Sequence, residues 1–399
     1  MIPGKPFPEK IVDFFIELDK ITNMAETKAT TGKKVKTETR QINLLRPDQI
    51  KNYLDQYVIG QDEAKKILSV AVYNHYKKVA FNLMPASEVE LDKSNIILLG
   101  STGCGKTLLV KTIARLLEVP CYIQDCTKIT ESGYVGSDVE DCIVGLLRSC
   151  NYDIPAAQCG IVMLDEGDKI AKKSAGASIV RDVSGEGVQQ SLLKIVEGDV
   201  VGVPPMGGRK HPEQPLLYVD TKNILFILSG AFVGLDDIIK RRLTGRHIGF
   251  NTDSTAVERI PDDELNHYAT PQDLRDFGFI PEFIGRFPII TNVNPISEEG
   301  LVTILTEPKN SIIKQYTQLV SYDNTDLVFT DDALEEIAHL AFTLGTGARG
   351  LRAIVETVMT DAMYETPLNT KKKKRATLKI TGEYVKEKTA DKYKNAVAM

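Results

Sequence analysis

The sequence has no tryptophan, no long apolar run and no strong excess of charge of one sign. Its longest apolar stretch, residues 224–235, is broken by Ser229 and Gly230. A membrane-spanning helix needs roughly 20 apolar residues, so the sequence predicts no membrane span. The 49 basic and 54 acidic residues give a net charge of −5. This balance argues against a nucleic-acid binder that acts through a broad basic surface.

Cysteines with the spacing of a metal site are also lacking. All six cysteines lie between residues 104 and 159, and no two have the C-x-x-C spacing of a zinc knuckle. Acidic residues at positions 13, 17 and 19 interrupt the first apolar segment, which argues against a secretory signal. The pattern is typical of a cytoplasmic protein with reduced thiols, and a cytoplasmic location is what we expect.

The 399 residues suggest two or three folded units. Residues 1–41 are predicted to be a flexible N-terminal extension or linker, because positions 22–40 are rich in Thr and Lys and have almost no apolar residue. A short amphipathic helix at 11–18 is the one element predicted there. Residues 42–294 alternate between strand and helix patterns, and residues 295–399 are mostly helical.

Four short apolar runs have the length and composition of buried strands, at residues 95–100, 160–165, 223–229 and 287–291. Helical patterns lie between them, so they predict an α/β fold with a parallel sheet covered by helices. The helix after the first strand is predicted to bury one side, formed by Leu108, Leu109, Ile113, Leu116 and Leu117. In the C-terminal part the patterns predict helices near 298–319 and 331–343, another helix after residue 350, and a strand at 376–380.

A phosphate-binding loop follows the first predicted strand. Residues 100–107 read GSTGCGKT and fit the pattern G-x-x-x-x-G-K-[ST] in the required position between a strand and a helix. The glycines let backbone N–H groups surround phosphate oxygens at a helix N-terminus. Lys106 is predicted to contact the β- and γ-phosphates and Thr107 to bind Mg²⁺. The residues expected to bind ATP here are Gly100, Ser101, Thr102, Gly103, Cys104, Gly105, Lys106, Thr107 and Leu108.

An acidic pair ends the second predicted strand. Ligands of open α/β sheets bind at the carboxyl ends of the strands, where Asp165 and Glu166 lie. Asp165 is predicted to hold Mg²⁺, through water, and Glu166 to orient and deprotonate the attacking water. An Asp-Glu pair alone is weak evidence, but the phosphate loop upstream strengthens it.

Six further segments occur in the order found in one family. They read DQYVIGQ at 55–61, GYVG at 133–136, RDVSGEGVQQ at 181–190, GGRKH at 207–211, IPEFIGR at 280–286 and TGARGLR at 346–352. From about residue 44 to about residue 380 the chain thus resembles the ClpX family, AAA+ ATPases that unfold proteins for the ClpP peptidase. The resemblance implies a large ATPase domain at 42–294, a small helical domain at 295–399, and a hexameric ring that uses ATP and Mg²⁺.

The resemblance also implies roles for residues outside the phosphate loop. Val58 and Ile59 are similar to an apolar adenine pocket, which Ile304 would help to close. Arg286 resembles the arginine finger that reaches the γ-phosphate bound to a neighbouring subunit. Arg349 resembles the sensor arginine that links the nucleotide to the angle between the two domains. Ser229 ends a predicted strand where related ATPases often have a polar sensor.

Four loops resemble segments with which the family handles its substrates and its peptidase. The first is hinged by glycines and offers an aromatic and an aliphatic side chain to an extended polypeptide; the second also contacts the substrate. A basic loop would favour acidic or carboxylate-bearing segments, and an apolar tripeptide would dock into the peptidase ring. In this order the residues are Tyr134 and Val135; Asp182, Val183 and Ser184; Arg209, Lys210 and His211; and Ile248, Gly249 and Phe250.

The chain departs from the family's pattern at several positions. Residues 1–41 contain no cysteine, so the family's N-terminal four-cysteine zinc module, and zinc itself, are not expected. Gly167 occupies a position where the family usually has an aliphatic residue, and we expect it to loosen the backbone beside Glu166. Ser101 replaces a proline that is common in the family's phosphate loop, and Cys104 occupies a usually small position.

The leading hypothesis is an ATP-dependent protein unfoldase and translocase, the ATP-binding subunit of a Clp protease. It would hydrolyse ATP but not peptide bonds, because no Ser/His/Asp arrangement is recognisable. A nucleic-acid motor or clamp loader is the alternative from another class, and the net charge and the GYVG loop argue against it. An ATP-binding scaffold or free chaperone without a peptidase is a third reading. An HslU-type unfoldase shares the GYVG loop but lacks the docking tripeptide.

Overall fold

The computed structural model describes residues 44–82, 91–129, 138–172, 185–204, 216–245, 262–369 and 376–393. Up to residue 245 the elements are α1 (Pro47–Asp55), α2 (Asp62–Asn82), β1 (Ile96–Leu99), α3 (Lys106–Leu117), β2 (Cys121–Asp125), α4 (Asp141–Ser149), α5 (Ile154–Gln158), β3 (Ile161–Asp165), α6 (Glu186–Glu197), β4 (Val200–Val203), β5 (Leu217–Asp220), β6 (Leu225–Gly230) and α7 (Leu235–Gly245). Short 3₁₀ helices span Cys126–Lys128 and Gly167–Ile170.

The remaining elements are α8 (Asp262–Leu265), a 3₁₀ helix (Asn266–Tyr268), α9 (Pro271–Phe277), α10 (Pro281–Ile284), β7 (Ile289–Asn292), α11 (Glu298–Thr306), α12 (Ile312–Ser321), β8 (Thr325–Phe329), α13 (Asp331–Thr343), α14 (Ala348–Asn369), β9 (Ala376–Ile380) and α15 (Gly382–Ala390). Within the described residues, no helix is long and apolar enough to cross a bilayer.

Five parallel strands form the central sheet in the order β2-β3-β6-β1-β7. Every residue of β1 and β6 is buried, because helices cover both faces of the sheet. One face contributes to a core with Ile97 and Leu99, the other to a core with Ile96 and Leu98. The predicted parallel sheet is therefore confirmed, and it places the carboxyl ends of β1, β3 and β6 side by side.

The C-terminal part has its own apolar core, to which α11–α15 and the strands contribute. Its two strands, β8 and β9, pair in parallel. The prediction of one helix near 298–319 is wrong, because α11 ends at Thr306 and α12 begins at Ile312. Pro308 lacks a backbone donor and disfavours helical geometry in the residue before it. Ser311 then caps the new helix by accepting a hydrogen bond from the Lys314 backbone N–H at 3.4 Å.

The helix after the phosphate loop also differs from its prediction in one residue. Leu109, Ile113 and Leu117 are buried, but the Leu108 side chain is 47% exposed. Leu108 precedes the first buried leucine of α3 by one residue, so its side chain points away from the core-facing side of the helix. It lines the cavity of the candidate site.

Candidate nucleotide site

The phosphate loop has a backbone shape that depends on glycine. Gly100, Gly103 and Gly105 have φ angles of 147°, 83° and 104°, in the region that other residues rarely adopt. A Cβ atom on Gly100 would lie 2.4 Å from the Val293 carbonyl oxygen. The loop therefore turns tightly from β1 into α3, whose N-terminus supplies unpaired N–H groups.

Lys106 is buried although it is charged. Its Nζ donates hydrogen bonds to the carbonyl oxygens of Gly100 at 2.5 Å and Ser101 at 2.8 Å. These contacts keep the ammonium group on the phosphate loop, where a bound phosphate would supply the opposite charge that a buried cation requires.

The Asp165 carboxylate is held by hydrogen bonds to one of its two oxygens. Its Oδ1 accepts from Ser229 Oγ at 2.6 Å and from the Glu166 backbone N–H at 3.1 Å. Its Oδ2 lies 3.5 Å from Thr107 Oγ1. A carboxylate oxygen beside a hydroxyl is the oxygen donor set that Mg²⁺ prefers, with phosphate and water completing the shell, so these residues fit the metal that the sequence predicts.

Glu166 and Gly167 make a strained, closely packed turn after β3. Glu166 has a left-handed backbone, with φ at 55°, and lines the cavity. Gly167 is packed so closely against β6 that a Cβ atom would lie 2.3 Å from Leu228 Cδ1. The glycine expected to loosen this backbone is thus required by the packing around it.

Two further charged residues, which the sequence analysis missed, lie at the same cavity. Asp168 is buried and forms an ion pair of 2.8 Å with Lys169. A Cβ atom on Gly230 would lie 2.4 Å from Asp168 Oδ1, so the glycine at the end of β6 leaves room for this carboxylate. Asp168 and Lys169 follow the Asp165-Glu166 pair after a single glycine, and this closeness in sequence was the signal that could have identified them.

These groups surround a cavity of about 410 Å³, a size typical of small-molecule sites. Residues from the phosphate loop, from the segment after β3, from the end of β6 and from the start of α14 form its wall. They are Thr102, Gly103, Gly105, Lys106, Thr107, Leu108, Asp165, Glu166, Asp168, Lys169, Gly230, Ala231, Ala348 and Arg349.

The loop before α14 lies directly on the phosphate loop. A Cβ atom on Gly103 would lie 2.8 Å from the Thr346 carbonyl oxygen, and one on Gly347 would lie 3.3 Å from the Gly103 carbonyl oxygen. Gly347 has a φ angle of 56°. This close approach brings Arg349, in the first turn of α14, to the cavity wall.

Of the predicted nucleotide residues, three in the phosphate loop and four outside it are not part of this wall. The three in the loop are Gly100, Ser101 and Cys104. Val58 is buried in the core, Ile59 is half-buried, and Ile304 packs against the C-terminal core. Arg286 lies just before the amino end of β7. The phosphate loop follows the carboxyl end of the parallel strand β1, so the two lie at opposite ends of the sheet. Its guanidinium forms an ion pair with Glu197 at 2.6 Å.

The residues predicted to contact the substrate and the peptidase lie outside the described residues. This applies to all four loops, with Tyr134 and Val135; Asp182, Val183 and Ser184; Arg209, Lys210 and His211; and Ile248, Gly249 and Phe250. The extension at residues 1–41 lies outside them as well. Among the residues that are described, no three His, Cys, Asp or Glu side chains form a group that could hold a metal by themselves.

Comparison with known proteins agrees with this geometry. Residues 91–290 match the AAA domain (Cdc48 subfamily), and residues 296–380 match the C-terminal D2-small domain of ClpB protein. A protein of Bacteroides thetaiotaomicron named "ATP-dependent Clp protease ATP-binding subunit ClpX" is 53% identical over 345 residues, which are 86% of this chain and 82% of the relative. A protein of the same name from Bacteroides fragilis is 53% identical over 335 residues, 84% of this chain and 80% of that relative.

The AAA match contains the phosphate loop and the acidic pair. Parallel sheet, phosphate loop and acidic pair are the parts of an ATPase. The chain is an ATPase with an AAA+ core, and it belongs to the ClpX family of ATP-binding subunits of Clp proteases.

Proposed function

We propose that the chain is an ATP-driven unfoldase and translocase that feeds protein substrates to a ClpP-type peptidase in the cytoplasm. The observation that carries the proposal is one cavity that collects Lys106, Thr107, Asp165, Glu166 and Arg349 in a chain of the ClpX family. The name that both relatives carry supports the partnership with a Clp protease.

ATP binds with its phosphates in the loop of residues 100–107. Backbone N–H groups at the start of α3 donate to phosphate oxygens, and Lys106 supplies a cation that is already directed along the loop. Thr107 and Asp165 would hold Mg²⁺, which neutralises phosphate charge when it is bound. Ser229 keeps one Asp165 oxygen occupied, so the other oxygen is the one directed to Thr107.

Glu166 would activate the attacking water. Its carboxylate is separate from the Asp165 network, to which it contributes only its backbone N–H. Its side chain therefore accepts the proton of the water that attacks the γ-phosphate. Glu166 has a left-handed backbone and lines the cavity, which supports this assignment.

The adenine ring would lie between the two parts of the chain. Val58 and Ile59 come from the segment after α1, and Ile304 comes from α11. A hydrogen bond of 2.7 Å from the Lys309 backbone N–H to the Gln56 carbonyl oxygen ties these segments together close to that position. Arg349, on the C-terminal part, would report the state of the phosphates to the same junction.

A single chain lacks one component of this mechanism. Arg286 is separated from its own phosphate loop by the length of β1, which is roughly 13 Å for four residues. An arginine that stabilises the charge of the transferred phosphoryl group must then come from a neighbouring copy. We infer a homohexameric ring with the nucleotides at its interfaces.

Within such a ring the substrate is gripped by the loops with Tyr134 and Val135 and with Asp182, Val183 and Ser184. The basic residues Arg209, Lys210 and His211 would select acidic or carboxylate-bearing segments. The tripeptide Ile248, Gly249 and Phe250 docks on the peptidase. These assignments are supported by the family of the chain, since the loops lie outside the described residues.

The test combines the purified chain, a ClpP-type peptidase and a tagged, folded substrate. We expect degradation with ATP and none without it. The Glu166→Gln variant should bind ATP without degradation, and deletion of Phe250 should abolish degradation while ATP turnover persists. Unfolding of the substrate by a ring that never stimulates degradation would instead indicate a free chaperone.

A further inference from the structure

The guanidinium of Arg286 is exposed, but the residue is held by two contacts from distant parts of the sequence. The first fixes its backbone. Asn95, which is 1% exposed, donates from Nδ2 to the Arg286 carbonyl oxygen at 2.9 Å. Its Oδ1 accepts from the Phe226 backbone N–H at 3.2 Å, and its Nδ2 also lies 3.5 Å from the Val196 carbonyl oxygen. A buried amide with these partners fixes the backbone of Arg286 relative to β6 and α6.

The second contact fixes the side chain. Glu197 Oε1 accepts from Arg286 Nε at 2.9 Å and lies 2.6 Å from Nη2. A guanidinium has five N–H donors, so a carboxylate at one edge leaves donors for a second anion. The pair also removes rotamer freedom from a long side chain that is 54% exposed.

The carboxylate itself lies on an anchored helix. Glu197 is the last residue of α6, and the buried Gln189 holds that helix to the segment that leads into α10. Gln189 Oε1 accepts from the Ile280 backbone N–H at 2.8 Å, and its Nε2 donates to the Ile170 carbonyl oxygen at 2.8 Å. Both partners of the Arg286–Glu197 pair therefore belong to one hydrogen-bonded unit.

We propose that Glu197 and Asn95 are positioning residues for Arg286, which orient its guanidinium towards the nucleotide of the neighbouring subunit. The inference rests on the proposed function, because it takes Arg286 to act on a neighbour. Misplacing a group by a small distance lowers the rate without weakening substrate binding in proportion. Asn95 also directly precedes β1, so one strand carries the chain's own phosphate loop and the anchor of the arginine that serves the next site.

The experiment mixes two kinds of subunit. The acceptor, Arg286→Ala, keeps its own phosphate loop but offers no arginine, and the donor, Glu166→Gln, offers Arg286 but cannot turn over its own ATP. Each alone should be nearly inactive, and the mixture should recover turnover. The test then compares this donor with a donor that also carries Glu197→Gln.

We expect the Glu197→Gln donor to restore a roughly fivefold lower kcat, the ceiling that an exposed ion pair supports, with an unchanged KM for ATP. The same substitution in the acceptor, which has no Arg286 side chain, should change nothing. Glu186→Gln in the donor is the matched control, because Glu186 forms an exposed ion pair of 3.1 Å with Lys172 at the other end of α6. Asn95→Ala in the donor should act like Glu197→Gln, provided that its thermal unfolding matches that of the parent donor.

The possible results distinguish the positioning role of Glu197 and Asn95 from the action of Arg286 on a neighbouring subunit. No recovery with the simple donor would refute the action of Arg286 on a neighbour, and the inference with it. Recovery that is equal, or higher, with the Glu197→Gln donor would refute the positioning role alone. An equal loss with Glu186→Gln, or a loss when Glu197→Gln is placed in the acceptor, would show a general effect on structure and also overturn it.

Discussion

The Leu228 side chain fills a small volume beside the turn formed by Glu166 and Gly167. The absence of a side chain at 167 leaves the space that the Leu228 side chain occupies, so the two residues depend on each other. The turn that carries Glu166 is consequently supported from behind by β6. A chain with glycine here can therefore hold Glu166 firmly, although glycine alone favours a looser backbone.

We predict that Gly167→Ala lowers the free energy of unfolding by about 1–3 kcal/mol, the usual cost of overfilling a packed core. In the presence of Leu228→Ala the same change should cost much less, because the clashing atom is gone. Urea unfolding of the two single variants and the double variant measures this coupling. Strictly additive effects would show that the two side chains do not compete for this space.

His75 is a buried imidazole that the fold keeps uncharged. Burial lowers the pKa of His75 from 6.5 to about 3, although its Nε2–H donates to the Asn223 carbonyl oxygen at 3.0 Å. The nearby cations of Lys93 and Lys78 add to this lowering of the pKa. Burial likewise lowers the pKa of Lys93, to about 7, so below that pH Lys93 is protonated in both the folded and unfolded chain and adds little slope.

Between pH 6.5 and about 3, the unfolded chain binds a proton at His75 that the folded chain does not bind. The free energy of unfolding should therefore fall as the pH decreases, by up to about 1.4 kcal/mol per pH unit from this residue. His75→Gln, which can still donate to Asn223, should show a shallower decrease between pH 6.5 and 5. Chemical unfolding at several pH values tests this, and equal slopes for both proteins would contradict it.

At the scale of elements, the pairing of β3 with β6 builds the acidic part of the site. Met163 and Leu164 lie beside Ile227 and Leu228 in register, which brings Ser229 to the Asp165 carboxylate. The hydrogen bond of 2.6 Å is to a charged acceptor, and such bonds contribute more than neutral ones.

Ser229→Ala should weaken Mg²⁺ binding about tenfold or more, because a hydrogen bond to a charged group contributes about 1.5–3 kcal/mol. Nucleotide binding without Mg²⁺ should stay close to that of the parent. Titration of Mg²⁺ against a fluorescent nucleotide measures both. Ser191→Ala, which removes a hydroxyl bonded to the Gly187 carbonyl oxygen within α6, is the control; equal Mg²⁺ dependence in all three proteins would rule out the role of Ser229.

The elements that could be predicted from the sequence are those with a continuous apolar pattern. Strands β1, β3 and β6 are buried on both faces, and each contains a run of four apolar residues. Strand β2 mixes polar and apolar residues and is mostly half-buried, so its pattern did not indicate a strand. The break at Pro308 was missed because the apolar spacing continues on both sides of it.

The candidate site likewise has parts that the sequence could predict and parts that it could not. Residues 100–107 and the Asp165-Glu166 pair are contiguous motifs with a chemical meaning, so the sequence alone could predict them as a site. The contacts of Arg286 with Asn95 and Glu197 join residues that are far apart in the chain. Such contacts depend on the sheet order and leave no local pattern in a single sequence.

At the scale of the whole molecule, the main feature is that the C-terminal part contacts the phosphate loop. The loop at Thr346 and Gly347 lies on the phosphate loop, and Arg349 follows it at the cavity wall. The proposed function therefore predicts that a change in the bound phosphates acts directly on the part of the chain that carries Arg349. Arg286 lies at the opposite end of the sheet, before the amino end of β7, and the proposed ring would bring it to the nucleotide of another copy.

The central claim is that ATP is cleaved between neighbouring copies, with Arg286 of one copy completing the site of the next. Its most direct test is ATP turnover per subunit, measured with Mg²⁺ over a range of protein concentrations while the mass of the assembly is recorded. We predict that turnover per subunit rises as rings form, and that Arg286→Ala rings assemble but turn over ATP far more slowly. Full turnover by a monomer would contradict the account.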